Sequence, residues 1–148
     1  MIEPSHLLQH IIRPVLKDLD LWSEPAERLL LGTACQESQC GRYLVQLGGP
    51  ALGIFHMEPA THDDIWVNYL GDHSKNHIAK HAASRMIWDL WYATAMCRVH
   101  YLRVKAPIPD NLPAQAGYWK LHYNTPLGKG TEDDYIRAWY RFIGHATF

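Results

Sequence analysis

Apolar residues recur every three to four positions near the start of the chain, at Leu7, Leu8, Ile11, Ile12, Val15, Leu16 and Leu19. This rhythm predicts a helix over 5–19 with one buried face. Pro14 falls inside it and predicts a bend or a division, because proline removes a backbone donor and crowds the preceding turn. A second helix is expected over 24–39. Ser23 caps it, Glu24 and Glu27 meet the positive end of its dipole in the first turn, and Gly41 is placed to stop it. Its stripe runs through Ala26, Leu29, Leu30, Thr33 and Ala34 to Glu37, so the inward face ends on a carboxylate. A charged group is seldom buried unless it is paired or put to use.

Residues 41–59 carry Gly41, Gly48, Gly49, Pro50, Gly53 and Pro59, turn chemistry that predicts a loop or short hairpin crossing the domain, where a groove can be built. Thr61 is then expected to cap a helix with Asp63 and Asp64 in its first turn and Ile65, Trp66 and Tyr69 on its apolar side. A polar stretch over 71–81 leads into the longest expected helix, 82–105. Its Met86, Ile87, Leu90, Ala93, Ala95, Cys97, Tyr101 and Leu102 predict the central, most buried element. Three prolines between Ala106 and Pro113 end it, and a shorter helix follows over about 113–122. Thr131 with Asp134 three residues on predicts a capping box for a last helix to about residue 143. The expectation is a mainly α fold in one domain over 1–148, with a central buried helix and a Gly-rich loop or small hairpin lining a groove.

Composition narrows the function more than the fold. A chain of 148 residues supports one core and not two. The net charge of −1, with no run of Lys or Arg, excludes the basic stripe that nucleic acid requires. No stretch approaches the roughly 20 apolar residues of a membrane span. The first twenty residues, broken by Glu3, Arg13, Pro14, Lys17, Asp18 and Asp20, do not read as a secretory signal. Cys35, Cys40 and Cys97 leave an odd thiol and lack a zinc-site spacing, so they read as reduced, buried, small hydrophobes. Six Trp and eight Tyr suit either a core or a groove that stacks sugar rings.

Cleavage of a glycosidic bond needs a carboxylic acid that keeps its proton near neutral pH, because the leaving oxygen takes up a proton as the bond stretches. Burial beside apolar residues raises a carboxyl pKa, which makes Glu37 the candidate acid. The alternative is a structural carboxylate satisfied by backbone donors or an arginine.

Glu37-Ser38 at the end of a helix, followed by a Gly-rich crossing and the segment GPALGIFHMEPAT, resembles the soluble lytic transglycosylase and goose-type lysozyme superfamily. Ala51, Gly53, Pro59 and Thr61 match that family's second signature outright, Ile54 and Phe55 conservatively. Tyr123-Asn124-Thr125 looks like its third element. The resemblance implies a lysozyme-like helical fold acting on the MurNAc-GlcNAc β-1,4 bond of peptidoglycan without a cofactor or metal. It implies Glu37 as general acid and then base, with Ser38 orienting it or the substrate. The backbone over 51–56, including Ala51, Gly53, Ile54, Phe55 and His56, is expected to line the groove. Tyr123 is expected to bond to the catalytic carboxylate, and Asn124 to meet substrate. Two departures stand out: Pro50 replaces a glycine, which Gly49 supplies one place earlier, and His56 replaces a glutamine, so an imidazole stands where an amide's donor-acceptor pair would be.

Hydrolysis by a lysozyme employs a second carboxylate, for which Glu58, Asp63 and Asp64 are the nearby candidates. In the transglycosylase branch one Glu suffices, because the substrate's own acetamido group and 6-hydroxyl replace the second carboxylate and water. Transglycosylation to 1,6-anhydro ends is therefore favoured, with muramidase hydrolysis as the alternative. A third reading is a non-catalytic peptidoglycan-binding or virion structural module of the same fold. A metal site is the rival chemistry, since His73, His77 and His81 recur every four residues, but they lack the glutamate of the His-Glu-x-x-His hydrolases. A wall-cleaving enzyme with no export signal resembles those of bacteriophages. That implies a virion-associated protein, or one made in the host cytoplasm and delivered to the periplasm and wall, with a peptidoglycan strand and other virion proteins as partners.

Overall fold

In a computed structural model the chain is mainly helical, and residues 1–71 and 77–144 are described. Six helices account for most of it, with no strand among the described residues. Helix α1 spans 4–18 as α-helical Pro4–Leu7, a π turn over Leu8–Ile12 and α-helical Arg13–Asp18. The wider turn answers Pro14: the Arg13 amide donates five residues back to the Leu8 carbonyl, so the helix passes the proline undivided.

Helix α2, Glu24–Ser38, starts where Ser23 Oγ accepts the Ala26 amide at 3.1 Å. As Tyr92 to Cys97 are all buried within the segment expected to be the central helix, so every residue of α2 from Leu29 to Cys35 is buried. It is approached from all sides. Gly32 lets Tyr135 lie against its backbone, where an added Cβ would stand 2.1 Å from the Tyr135 hydroxyl. Thr33 Oγ1 is 2.8 Å from the Tyr101 hydroxyl on another helix. Near its start, Glu27 accepts from Arg13 Nε at 2.8 Å, Arg13 Nη2 at 2.7 Å and the Trp22 indole at 2.8 Å, which ties α1 to α2.

The expected 82–105 helix is divided. A 3₁₀ turn over Ala83–Ile87 is followed by α4, Leu90–Leu102, because Asp89 takes the N-cap position, accepting the Tyr92 amide at 3.0 Å and Arg85 Nε at 2.9 Å. Between α2 and this segment lies α3 over 59–70, α-helical Pro59–Ile65 and then a π turn Trp66–Leu70. It begins three residues earlier than Thr61 as a cap predicts, with Pro59 opening the first turn and Glu58 at the cap position. The buried His62 locks α3 to α4: its Nε2 is 2.6 Å from the Tyr92 hydroxyl, which also accepts the Trp66 indole at 2.9 Å.

Asn111 caps α5 over 112–124, which is α-helical through Leu112–Trp119 and ends in a π turn Lys120–Asn124. The Thr131 and Asp134 pair forms the capping box of α6, Glu132–Phe142, with reciprocal bonds of 2.9 and 3.1 Å. Among the described residues no helix is long and apolar enough to cross a membrane.

Cys35 and Cys40 bring their sulfurs to 2.6 Å in the core, and hydrogen bonding to Cys40 together with burial raises the Cys35 pKa. Burial raises that of Cys97 as well. The thiolate is the reactive form. Native protein is therefore expected to resist iodoacetamide at pH 8, while denatured protein takes up reagent at all three positions. Rapid native labelling, read by mass spectrometry, would contradict this.

Candidate active site

Helix α2 ends at Ser38, one residue short of the expected 39, and Gln39, Cys40 and Gly41 then all take positive φ, at 52°, 55° and 85°. Left-handed conformations of non-glycine residues cost about 1–2 kcal/mol each. The surroundings hold them there: the Cys40 amide donates to the Ala34 carbonyl at 3.1 Å and the Gly41 amide to Ser38 Oγ at 2.8 Å. Glu37 lies on the last turn before this sharp reversal, partly buried and facing a cleft.

Glu37 opens onto a cleft of about 510 Å³. One wall is the 41–59 crossing, which contributes Gln46, Ala51, His56, Met57 and Glu58. The crossing folds back on itself through two isolated bridges, Val45 with Leu52 and Leu52 with Met57, and so forms the small hairpin-like wall without a strand. The opposite wall is α5 and its following loop, with Trp119, His122, Tyr123, Asn124, Thr125 and Lys129. His100 of α4 also lines the cleft.

The Trp119 indole donates to Glu37 Oε1 at 3.1 Å, and among the described residues no arginine or lysine pairs with this carboxyl. Burial lifts its pKa from an ordinary 4.5 to about 7, against the opposing pull of the Trp119 bond. The neighbouring imidazoles do not reverse this. Burial lowers the pKa of His56, and it lowers that of His100 to about 4, so both rings are pushed toward the neutral form. Glu37 thus has the environment of a carboxylic acid that holds its proton close to neutral pH.

The residues expected around Glu37 divide into two groups. Ala51, His56, Tyr123 and Asn124 line the cleft. Ser38, Gly53, Ile54 and Phe55 are not among its lining residues. Ser38 is fully buried, with its hydroxyl donating to the Ala34 carbonyl at 3.1 Å while it accepts the Gly41 amide, so it shapes the turn and does not face substrate. Gly53 has φ +78° and packs where a Cβ would lie 2.4 Å from the Met86 carbonyl oxygen. Ile54 and Phe55 are core residues.

Tyr123 departs from its expected role. Its hydroxyl donates to the Phe55 carbonyl at 2.6 Å and not to Glu37, clamping the 41–59 wall to α5. The carboxylate partner is Trp119, four residues earlier on the same helix face, a spacing legible in the sequence once Tyr123 is suspected. Asn124 is oriented by Lys120, whose Nζ donates to its Oδ1 at 2.7 Å and to the Gly128 carbonyl at 2.9 Å. His56 is fixed by donating from Nε2 to the Tyr43 carbonyl at 2.7 Å. Its φ of 46° is another left-handed backbone beside the cleft.

Of the further carboxylates, Glu58 lines the cleft and is exposed, whereas Asp63 pairs with His62 at 2.8 Å and Asp64 with Arg103 at 2.8 Å, and neither is a lining residue. For the histidine series, His73 lies outside the described residues and His81 packs edge-on to Tyr92 at 5.1 Å. No trio of metal-ligating side chains is assembled among the described residues. Trp119, His100, His122 and Lys129 were not singled out by sequence pattern, since each reaches the cleft through helix packing. No family model, curated protein or solved structure matches this chain.

Proposed function

We propose that this protein cleaves the glycan of bacterial peptidoglycan, with Glu37 protonating the glycosidic oxygen between MurNAc and GlcNAc. The observation that carries the reading is a carboxyl group on the wall of a 510 Å³ cleft, without a cationic partner among the described residues and lifted to about 7 by burial. The resemblance of the 37–38, 49–61 and 123–125 segments to the lytic transglycosylase and goose-type lysozyme superfamily supports the same assignment.

The chemistry favoured is transglycosylation. Glu37 donates its proton to the leaving O4, the resulting carboxylate accepts the proton of the substrate's 6-hydroxyl, and that oxygen bonds to C1 to close a 1,6-anhydro ring. No water is consumed and the acid is regenerated. Glu58 is the other carboxylate among the described residues that line the cleft, and its side chain is exposed. Digestion of purified sacculi followed by mass spectrometry of the soluble fragments tests this. Anhydro ends are expected, and reducing ends would assign a muramidase. Glu58→Gln is expected to retain clearing activity within about twofold, whereas a loss of the size general catalysis supplies, about a hundredfold or more, would make Glu58 the second carboxylate.

A further inference from the structure

Among the described residues Trp119 alone hydrogen-bonds to the Glu37 carboxyl, its indole donating to Oε1 at 3.1 Å. An indole nitrogen carries a hydrogen and offers no lone pair, so Oε1 is always the acceptor of this bond. Oε2 has no hydrogen-bond partner among the described residues. The one side-chain atom there that is both fully buried and unpartnered is Nδ1 of His100, so Oε2 keeps accessible surface on a residue that lines the cleft. In a neutral carboxyl one oxygen accepts and the other carries the O–H donor. With Oε1 engaged as acceptor, the hydrogen goes to Oε2.

The donor is firmly held. Trp119 and Tyr135 of α6 are both fully buried, with ring centroids 5.4 Å apart, and the Tyr135 hydroxyl donates to the Leu29 carbonyl of α2 at 3.3 Å. Gly130 closes another edge, since a Cβ there would stand 2.7 Å from Cη2 of the Trp119 ring. Helix α2 thus supports its own terminal carboxyl through α6 and α5. Tyr123 does not share the task, because its hydroxyl is engaged by the Phe55 carbonyl at 2.6 Å. Nor do the cleft's other titratable side chains, His56, Glu58, His100, His122 and Lys129, hydrogen-bond to Glu37.

A hydrogen bond to an ionised group is roughly twice as strong as one between neutral groups, so the Trp119 bond tightens when Glu37 gives up its proton. It opposes burial for the same reason, drawing the Glu37 pKa down while burial lifts it.

We infer that Trp119 is the positioning residue of the Glu37 acid: by occupying Oε1 it places the transferable proton on the accessible Oε2, and it then steadies the carboxylate left when that proton passes to the glycosidic oxygen. This rests on the glycan reading above.

Proton–nitrogen spectra of the indoles test the bond without substrate, and cleavage of sacculi tests its use. The Trp119 signal, assigned by its loss in Trp119→Phe, is expected to move downfield as pH rises through about 7 and to stand still in Glu37→Gln. Replacing Trp119 with benzothienylalanine by amber suppression sets sulfur in place of the indole N–H and keeps the bulk of the ring. That protein, its folding checked by circular dichroism, is expected to lose about tenfold in kcat with KM within about twofold, and its fall in kcat/KM to move up by about one pH unit. A packing role alone would not move that limb. A Trp119 indole that does not titrate, or a benzothienylalanine protein whose limb stays at about 7, overturns the inference, and cleavage by wild type then leaves the glycosidase reading standing. If wild type does not cleave sacculi, that reading falls and the inference falls with it.

Discussion

Glu37→Gln is expected to yield a folded protein whose release of soluble fragments from sacculi falls by about a thousandfold, within the range that a positioned acid contributes. The amide keeps an oxygen for the Trp119 indole, so the wall of the cleft and the end of α2 are retained, and only the transferable proton is lost. Wild-type kcat/KM is expected to fall with a single limb as pH rises through about 7, where the Glu37 proton is released. His56, His100, His122, Glu58 and Lys129 share the cleft, and the same profile in His122→Gln assigns that limb to Glu37.

The same shift has a consequence for stability. The folded-state pKa of about 7 lies above the ordinary 4.5, so between these values the native state keeps a proton that the unfolded chain has released. Stability is then full below about pH 4.5, declines as pH rises to about 7 and levels off above it, by on the order of 3 kcal/mol at most. Glu37→Gln removes this decline. Parallel unfolding curves for the two proteins from pH 4.5 to 7.5, together with undiminished clearing, would remove Glu37 from the proposal.

Arg13→Met is expected to be the most damaging single replacement outside the cleft. Glu27 is 3% exposed, and its burial cost, which alone would raise its pKa, is outweighed by the hydrogen bonds from Arg13 and Trp22 and by the Arg13 charge, leaving the carboxylate below its usual range. Removing one partner of a buried pair costs about 3–5 kcal/mol, because the other charge stays buried without compensation. For a chain of this length that corresponds to a fall in Tm of about 10 °C. In wild type the contribution of Glu27 is present above the ordinary carboxylate pKa and is lost as pH falls through its lowered folded value. The deficit of Arg13→Met therefore narrows in acid. Arg13→Met combined with Glu27→Leu is expected to recover most of the loss, since no orphan charge remains. A single variant within 1 °C of wild type by differential scanning calorimetry would show that the pair adds little. Cleavage at 25 °C is expected to survive in the single variant, because the pair sits at the opposite end of α2 from Glu37.

Helices are written in local signals, and those signals read correctly here where they act within one turn. Ser23 before α2 and the Thr131 and Asp134 box before α6 satisfy backbone amides of their own helices, so their outcome does not depend on distant residues. The mainly α class follows from the same local rules. Signals that compete within a few residues are ranked only by the packing around them. Pro59 outranked Thr61 as the start of α3, and Asp89 divided what the apolar rhythm predicted as one long helix.

The candidate site divides along the same line. Periodicity alone put Glu37 at the edge of the buried stripe of α2, and the Gly and Pro content of 41–59 marked the wall opposite it. The exchange of partners was decided only by tertiary structure: Trp119 takes the Glu37 carboxyl, Tyr123 takes the Phe55 carbonyl, Ser38 turns inward, and His100 lines the cleft. Each of these joins residues whose separation in sequence carries no rhythm, or sets a side chain's direction by a left-handed backbone that no periodic pattern encodes. A carboxyl pKa depends on how much water and which dipoles remain within a few ångströms, and in this chain those neighbours arrive from helices more than eighty residues apart.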